Sequence, residues 1–569
     1  MPAPSARRFN RRHFLQRAGY LGLGVLVWIA CGGGEEKRRA TTLERTIQRD
    51  AEGNLVYGSG EPYVVRTELA QAQTGREGRR RSVVVFHHLS DFRILDEESP
   101  LRAEWSDECD PPPSTEAFRP QETLSVQAAE ALIGAANGVH ESPATGHPVD
   151  FAIHTGNAAN SAQFNELRWF LDMMDGKPVY PDAGAIGYQG VQGESPAAAY
   201  PDLLETAQRP FTPEGIAYPW YAVAGNRDVL VEGNFAPGDR SRQFVTGAQK
   251  IMRLGPDALE EACSSADNLL GPGSSSVIFN DPETIIRGVG SDANRRLLSL
   301  KEWMAEHFGT AERPGPDGHG FSAAGVDGGT AYYAFEQAGV VFLVLNTVNP
   351  AGFSAGSIDA AQFKWLEEQL IAHSGIYLNS AGQQVTTANP DRLIVIVSHH
   401  PSDAMTNPFP GPGGDQRLRG EHLEALLHRF PNVIMHIAGH TLLHRIAAKP
   451  DPTDPTRAYV QVTTGAPADS PMQGRLIEIT DNRDGTISIL STVYDSLAPI
   501  NPGDADDPTP DDGLNQRLLA GVARQLADGD PQADLEAGGL QPSDRNAELV
   551  IEAPFDLATL PRLTPQPDQ

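Results

Sequence analysis

Ser82-Val83-Val84-Val85-Phe86-His87-His88-Leu89-Ser90-Asp91-Phe92-Arg93 decides the architecture. Val83 to Phe86 form a short, continuous, β-branched run, which reads as a strand covered on both faces. The chain then turns polar at Ser90-Asp91-Phe92-Arg93. The same succession recurs four times. Residues 149–154 lead into Thr155-Gly156-Asn157, and 220–224 into Gly225-Asn226-Arg227-Asp228. Residues 393–397 lead into Ser398-His399-His400-Pro401, and 433–437 into Gly439-His440-Thr441-Leu442. A further apolar run covers 340–345. Apolar residues at helical spacing mark 122–137, 165–174 and 360–372 as helices. Strands alternating with helices predict an α/β fold of layered sheets. In such sheets ligands gather beyond the carboxyl ends of the strands, where all five polar segments fall.

The chain has 569 residues, of which 40% are hydrophobic and 21% charged, the profile of a globular protein. Its beginning differs from the rest. Arg11-Arg12-His13-Phe14-Leu15 is a twin-arginine pattern, and the apolar run 20–30 is too short to span a bilayer. Residues 1–30 therefore read as a signal peptide for export by the twin-arginine route, to a periplasmic or cell-surface location. Cys31, between Ala30 and three glycines, resembles a lipoprotein processing site, although Trp28 stands where such sites usually carry Leu. A lipid on Cys31 would tether the protein to a membrane; ordinary cleavage would release it. Removing the signal takes away five arginines and no acid, moving the net charge from −29 to −34. A surface so acidic repels nucleic acid and anionic headgroups, and no nucleic-acid partner is expected.

Cys109 and Cys263 could pair in an oxidising compartment, yet cysteines this far apart read rather as free, buried thiols. Residues 31–81 are a polar lead-in. Residues 475–479 and 486–491 flank Asp481-Asn482-Arg483-Asp484-Gly485, a hairpin by its turn chemistry. A helix is expected over 514–526, within a C-terminal extension, 497–569, that packs on the main domain, 82–496. The long connections 178–219 and 230–295 are expected to decorate the strand ends and cover the site.

In their order, the five polar segments resemble the motifs of the calcineurin-like metallophosphoesterases, D-x-H, G-D, G-N-H-[DE], H-x-P and G-H-x-H. Ser99-Pro100-Leu101-Arg102, Gln163 to Trp169, Pro316 to Phe321 and Asp544-Arg545-Asn546 further resemble a twin-arginine-exported bacterial subfamily. The likeness covers residues 82–556 and implies a layered calcineurin-like sandwich with long loop insertions. It also implies a site for two metal ions, zinc, manganese or iron, that hydrolyses phosphoesters. Carried over by position, the first ion would rest on Asp91, Arg93, Asn157 and Leu442, and the second on Asn157, Asn226, His399 and His440. Arg227, followed by Asp228, stands where the family places its proton donor.

The substitutions undo much of this. Guanidinium and alkyl groups cannot ligate a dication, so the first position is expected to be lost. The second keeps neutral donors, compatible with one weakly held ion or none. Arg227 cannot release a proton near neutral pH. It can bind phosphate, so Arg93 and Arg227 either hold an anion where the metals would be or plug the pocket against Asp91, Asp228 or Asp96. His87, His88, His154 and His444 are possible replacement ligands, and His400 reads as structural. Asn346 is a further Asp-to-Asn departure in the segment the subfamily writes L-D-T. Two functions follow: a phosphoesterase with weak, altered or absent catalysis, or a non-catalytic protein binding a phosphate-bearing small molecule, another anion or a partner at the cell surface.

Overall fold

The computed structural model describes residues 41–109, 117–194, 202–264, 281–310, 314–411, 413–455, 457–502, 516–530 and 541–561. The twin-arginine pattern, the apolar run 20–30 and Cys31 lie outside them.

Thirteen strands build the two principal sheets. In chain order they are β1 (Val64–Arg66), β2 (Arg81–Leu89), β3 (Phe151–His154), β4 (Trp220–Ala222), β5 (Tyr333–Gln337), β6 (Val340–Val344) and β7 (Leu393–Val397). There follow β8 (Val433–Ala438), β9 (Arg445–Pro450), β10 (Ala458–Thr463), β11 (Gln473–Asp481), β12 (Thr486–Asp495) and β13 (Ala547–Glu552). One sheet has the order β1-β13-β12-β11-β2-β3-β4 and the other β9-β10-β8-β7-β6-β5. Strands β2, β3 and β4 run parallel, as do β6, β7, β8 and β10. Antiparallel strands β5 and β9 close the margins of the six-stranded sheet, and β11, β12 and β13 form the antiparallel part of the seven-stranded one.

Period-two alternation explains why the sheets stack. Val340, Phe342 and Val344 of β6, and Leu393, Val395 and Val397 of β7, face a core shared with Val84, Phe86, Phe151 and Ile477 of the other sheet. Phe151 and Phe342 meet edge to face at 5.3 Å across that core. The opposite faces are covered by helices. Ser125–Gly138 and Phe164–Asp175 lie on one, and Ala360–Ala372 with Gly420–Leu427 on the other. The result is a four-layered α/β sandwich.

The polar stretch before β2 contributes a hairpin, Arg45–Arg49 with Leu55–Ser59, and then β1, which pairs with β13. The helix read at 514–526 runs from Gln516 to Asp528 and packs on Ser125–Gly138. Cys109 and Cys263 are joined as a disulfide, not free thiols. Sequence distance misleads here because Glu104–Glu108 and Pro256–Ser264 pack together around Trp105, Ala258 and Ala262. Among the described residues no helix is long and apolar enough to cross a membrane.

Candidate functional site

All five segments follow carboxyl ends of parallel strands: β2, β3 and β4 in one sheet, β7 and β8 in the other. The first two loops stay paired beyond their strands. Asp91 N donates to Gly156 O (3.0 Å), Arg93 N to Asn157 O (2.8 Å) and Ile94 N to Ala158 O (2.9 Å). Asp91, Arg93, Asn157, His440 and Leu442 all have left-handed backbones, with φ of 54°, 47°, 57°, 68° and 59°. Such conformations cost about 1–3 kcal/mol each outside glycine and persist where the surroundings over-determine them, as they do around functional sites. Glycines allow the loops to touch. Gly156, at φ 97°, makes a tight turn, and a Cβ there would lie 2.8 Å from both Gly225 N and His399 Nδ1. Gly225 serves differently: its φ is −103°, and a Cβ would collide with Asn157 Oδ1 at 2.3 Å.

Asp91 is fully buried and met by donors on every side. Oδ1 accepts from Asn157 Nδ2 at 2.8 Å and lies 3.6 Å from Arg93 Nε. Oδ2 accepts from Ser90 Oγ at 2.6 Å and from the His440 backbone N–H at 2.9 Å. Burial is the largest influence on this carboxyl and acts upward. His399 and Arg93, with the bonds from Ser90 and Asn157, outweigh it and hold the group at about 2. Asn157 uses its other amide atom as well, Oδ1 accepting from Arg227 N at 2.8 Å. An aspartate here would set two carboxylates 2.8 Å apart and call for a cation. The asparagine replaces that cation with a hydrogen bond. With Arg93 and Leu442 buried beside it, the first metal position does not fit a metal.

His399 and Asn226 are different. His399 Nδ1 lies 2.7 Å from Thr155 O, a pure acceptor, so Nδ1 carries the proton. Burial, the largest influence, pushes this imidazole down to about 3, so the ring is neutral and Nε2 is a bare lone pair. Nε2 faces Asn226 Oδ1 at 2.9 Å, while Asn226 Nδ2 donates to Gly233 O at 2.8 Å. Turning the amide over only moves the clash of acceptors to Gly233 O. Two lone pairs directed at each other are what a small cation between them would satisfy. The half-buried ring of His440 lies 5.2 Å from that of His399, so three neutral donors converge at the second position and fit one ion.

His400 has ring nitrogens within 4.8 Å of those of His399 and His440, as a ligand would. Both are already employed: Nε2 donates to Ser354 O at 2.9 Å and Nδ1 accepts from Thr347 Oγ1 at 2.7 Å. Its role is to fasten the 347–354 segment to the site. No other group of three potential ligands gathers among the described residues, so His87, His88, His154 and His444 do not form a replacement set. His87 is bound by Val139 O and Tyr494 Oη, His88 by Thr155 Oγ1 and His444 by Arg475, while His154 packs between Phe92 and Phe170.

Arg227 is buried, donates to Asn160 Oδ1 at 2.9 Å and stands 3.6 Å from Glu232. The pairings considered for it, Asp228 and Asp96, belong to other groups. Asp96 binds Arg295 at 2.7 Å. Asp228 accepts from the backbone N–H groups of Asn157 (2.8 Å), Gly225 (2.8 Å) and Ala159 (3.0 Å), clasping the second and third loops. Burial raises its carboxyl to about 7 against those bonds. Such a clasp fixes the second and third loops against each other. Glu232, itself at φ 50°, also binds Arg102 at 2.5 Å. Nothing in its sequence surroundings marks it as the partner of Arg227.

No protein-family model matches the chain, and no curated protein does. Among solved structures, purple acid phosphatase PPD1 from yellow lupin (Lupinus luteus) seeds is similar over 79% of this chain and 56% of its own, with 11% identity and a TM-score of 0.26. The chain thus spans little more than half the length of that protein.

Proposed function

We propose that this chain is an exported relative of the calcineurin-like metallophosphoesterases that keeps one weak cation position and binds a phosphate-bearing ligand with little or no hydrolysis. The observation that carries the reading is the pair of opposed lone pairs, His399 Nε2 and Asn226 Oδ1, 2.9 Å apart. His399, Asn226 and His440 would hold the ion, which when bound supplies a Lewis-acidic contact for a phosphoryl oxygen. Thr155 O fixes the tautomer of His399, and Gly233 O fixes the face of Asn226. The rest of the site argues against turnover. Asn157 spends its amide on Asp91 and Arg227 N, and Arg227 holds its proton at any working pH. Both guanidinium groups are absorbed into internal contacts with Asp91, Asn160 and Glu232, which favours a filling role for them over direct anion capture. The twin-arginine export and the lipid on Cys31 belong to the same proposal. Lys in place of Arg11 and Arg12 tests the first, and Cys31→Ala, by release from membranes, the second.

Elemental analysis and calorimetry of protein purified without chelator test the site. No more than one zinc or manganese ion per chain is expected, with inorganic phosphate binding that disappears in chelator. Hydrolysis of an aryl phosphate should stay near background. Two tightly held ions per chain, or metal binding unchanged in His399→Ala, would sink the reading.

A further inference from the structure

We infer that Phe353 and Phe409 form a stacking platform beside the site for the planar aromatic part of its ligand. The inference rests on the phosphate-binding reading above and names the ligand's other half. These are the only large-exposure phenylalanines among the described residues, 50% and 52% exposed, and they lie against each other with ring centroids 5.2 Å apart and planes 27° from parallel. An aromatic left half in water normally folds inward; here the backbone holds it out. Phe353 has φ 69°, an outlier for a bulky residue.

What over-determines that conformation is the site itself. On one side His400, next to His399, donates to Ser354 O at 2.9 Å. On the other, Phe353 N donates to Asn234 O at 2.6 Å, and the preceding carbonyl, Gly233 O, is the one that fixes Asn226. Phe353 is thus suspended between the third and fourth functional segments. Asn407 ties Phe409 to the same place, accepting from Phe409 N at 3.1 Å and donating to Gly352 O at 2.9 Å. Charge points to the same occupant. A chain at −29 opposes ligands carrying several phosphates, so a single phosphate attached to an apolar, planar group fits best. An aromatic ring gains on such a platform what an aliphatic ring of equal size does not.

Calorimetry on the full chain with zinc should compare inorganic phosphate, cyclohexylphosphonate and phenylphosphonate. Phenylphosphonate is expected to bind about tenfold tighter than cyclohexylphosphonate. Phe409→Leu, which keeps apolar cover but removes a ring, should abolish that preference and leave phosphate binding unchanged. Phe353→Asn, a residue at home in the left-handed region, should do the same if its melting temperature is retained. Equal binding of the two phosphonates, or a preference that survives both variants, overturns the platform while leaving the phosphate site intact. Failure of inorganic phosphate to bind at all overturns the phosphate site and the platform with it.

Discussion

Asn157 differs from aspartate by one NH2 group, and that group decides what the site can hold. Its Nδ2 points at Asp91 Oδ1, the place where a bridging carboxylate would need a metal. Asn157→Asp should therefore destabilise the chelated protein by about 3 kcal/mol at neutral pH, because a buried carboxylate loses its donor and gains a like charge. Zinc or manganese should restore the melting temperature of this variant more than that of the parent. A variant as stable as the parent in chelator, with no response to metal, would show that the two side chains do not face each other. The identity of these residues was legible in the sequence, because the surrounding runs set them at strand ends. Their hydrogen bonds were not. Arg93 and Leu442 sit in a left-handed backbone that nothing about arginine or leucine advertises. The opposition of His399 to Asn226 depends on a backbone carbonyl of another segment.

Elements explain why the loops keep their shape after the side chains have changed. β6, β7 and β8 were readable because each is apolar on both faces and covered by a sheet on one side and helices on the other. Marginal strands such as β9, which ends in a proline and is partly exposed, carry no such signal and escaped the reading. The disulfide escaped because it records packing between two insertions, not a spacing in the chain. The contacts between loop and loop are set by small residues. At Gly439, after β8, a Cβ would fall 1.9 Å from Ser90 Oγ and 2.7 Å from Asp91 Oδ2. Gly439→Ala is expected to lower stability by roughly 1–3 kcal/mol, the scale of overpacking in a close-packed interior. It should also weaken zinc and phosphate binding, since His440 N can no longer reach Asp91 in place. Thermal melts and metal titration check both, and an alanine variant that binds zinc as the parent does would mean the first and fifth segments move independently.

The whole molecule buries titratable groups of both signs, and their balance sets its response to pH. Burial, the leading influence on each, pushes His87, His154, His307 and His436 down to about 3 and His319 to about 4. These rings are neutral when folded and become protonated when unfolded below 6.5. Their contribution to stability is complete above pH 6.5 and is withdrawn as the pH falls toward 3. Burial also lifts Glu98 and Glu166 to about 8 and Glu130 to about 7. Those carboxyls are protonated when folded and ionised when unfolded above about 4.5. Their contribution is complete below that value and is lost as the pH rises through 7 to 8. From pH 4.5 to 6.5 the depressed imidazoles, His399 among them, and the raised carboxyls, Asp228 among them, act in opposite directions, so stability changes gently; below 4.5 the imidazoles and the depressed Asp91 act together and it drops steeply. Above 6.5 only the carboxyls still change, and stability declines. Scanning calorimetry from pH 4 to 9 should place the highest melting temperature between about 6 and 7, with a fall toward pH 8. Glu98→Gln keeps the oxygen that accepts from Gln189 N and Gln208 Nε2 and removes the ionisation, so it should flatten that alkaline fall without moving the acid limb. A melting temperature still rising at pH 8, or an alkaline limb identical in parent and variant, would show that these carboxyls are already ionised in the folded chain.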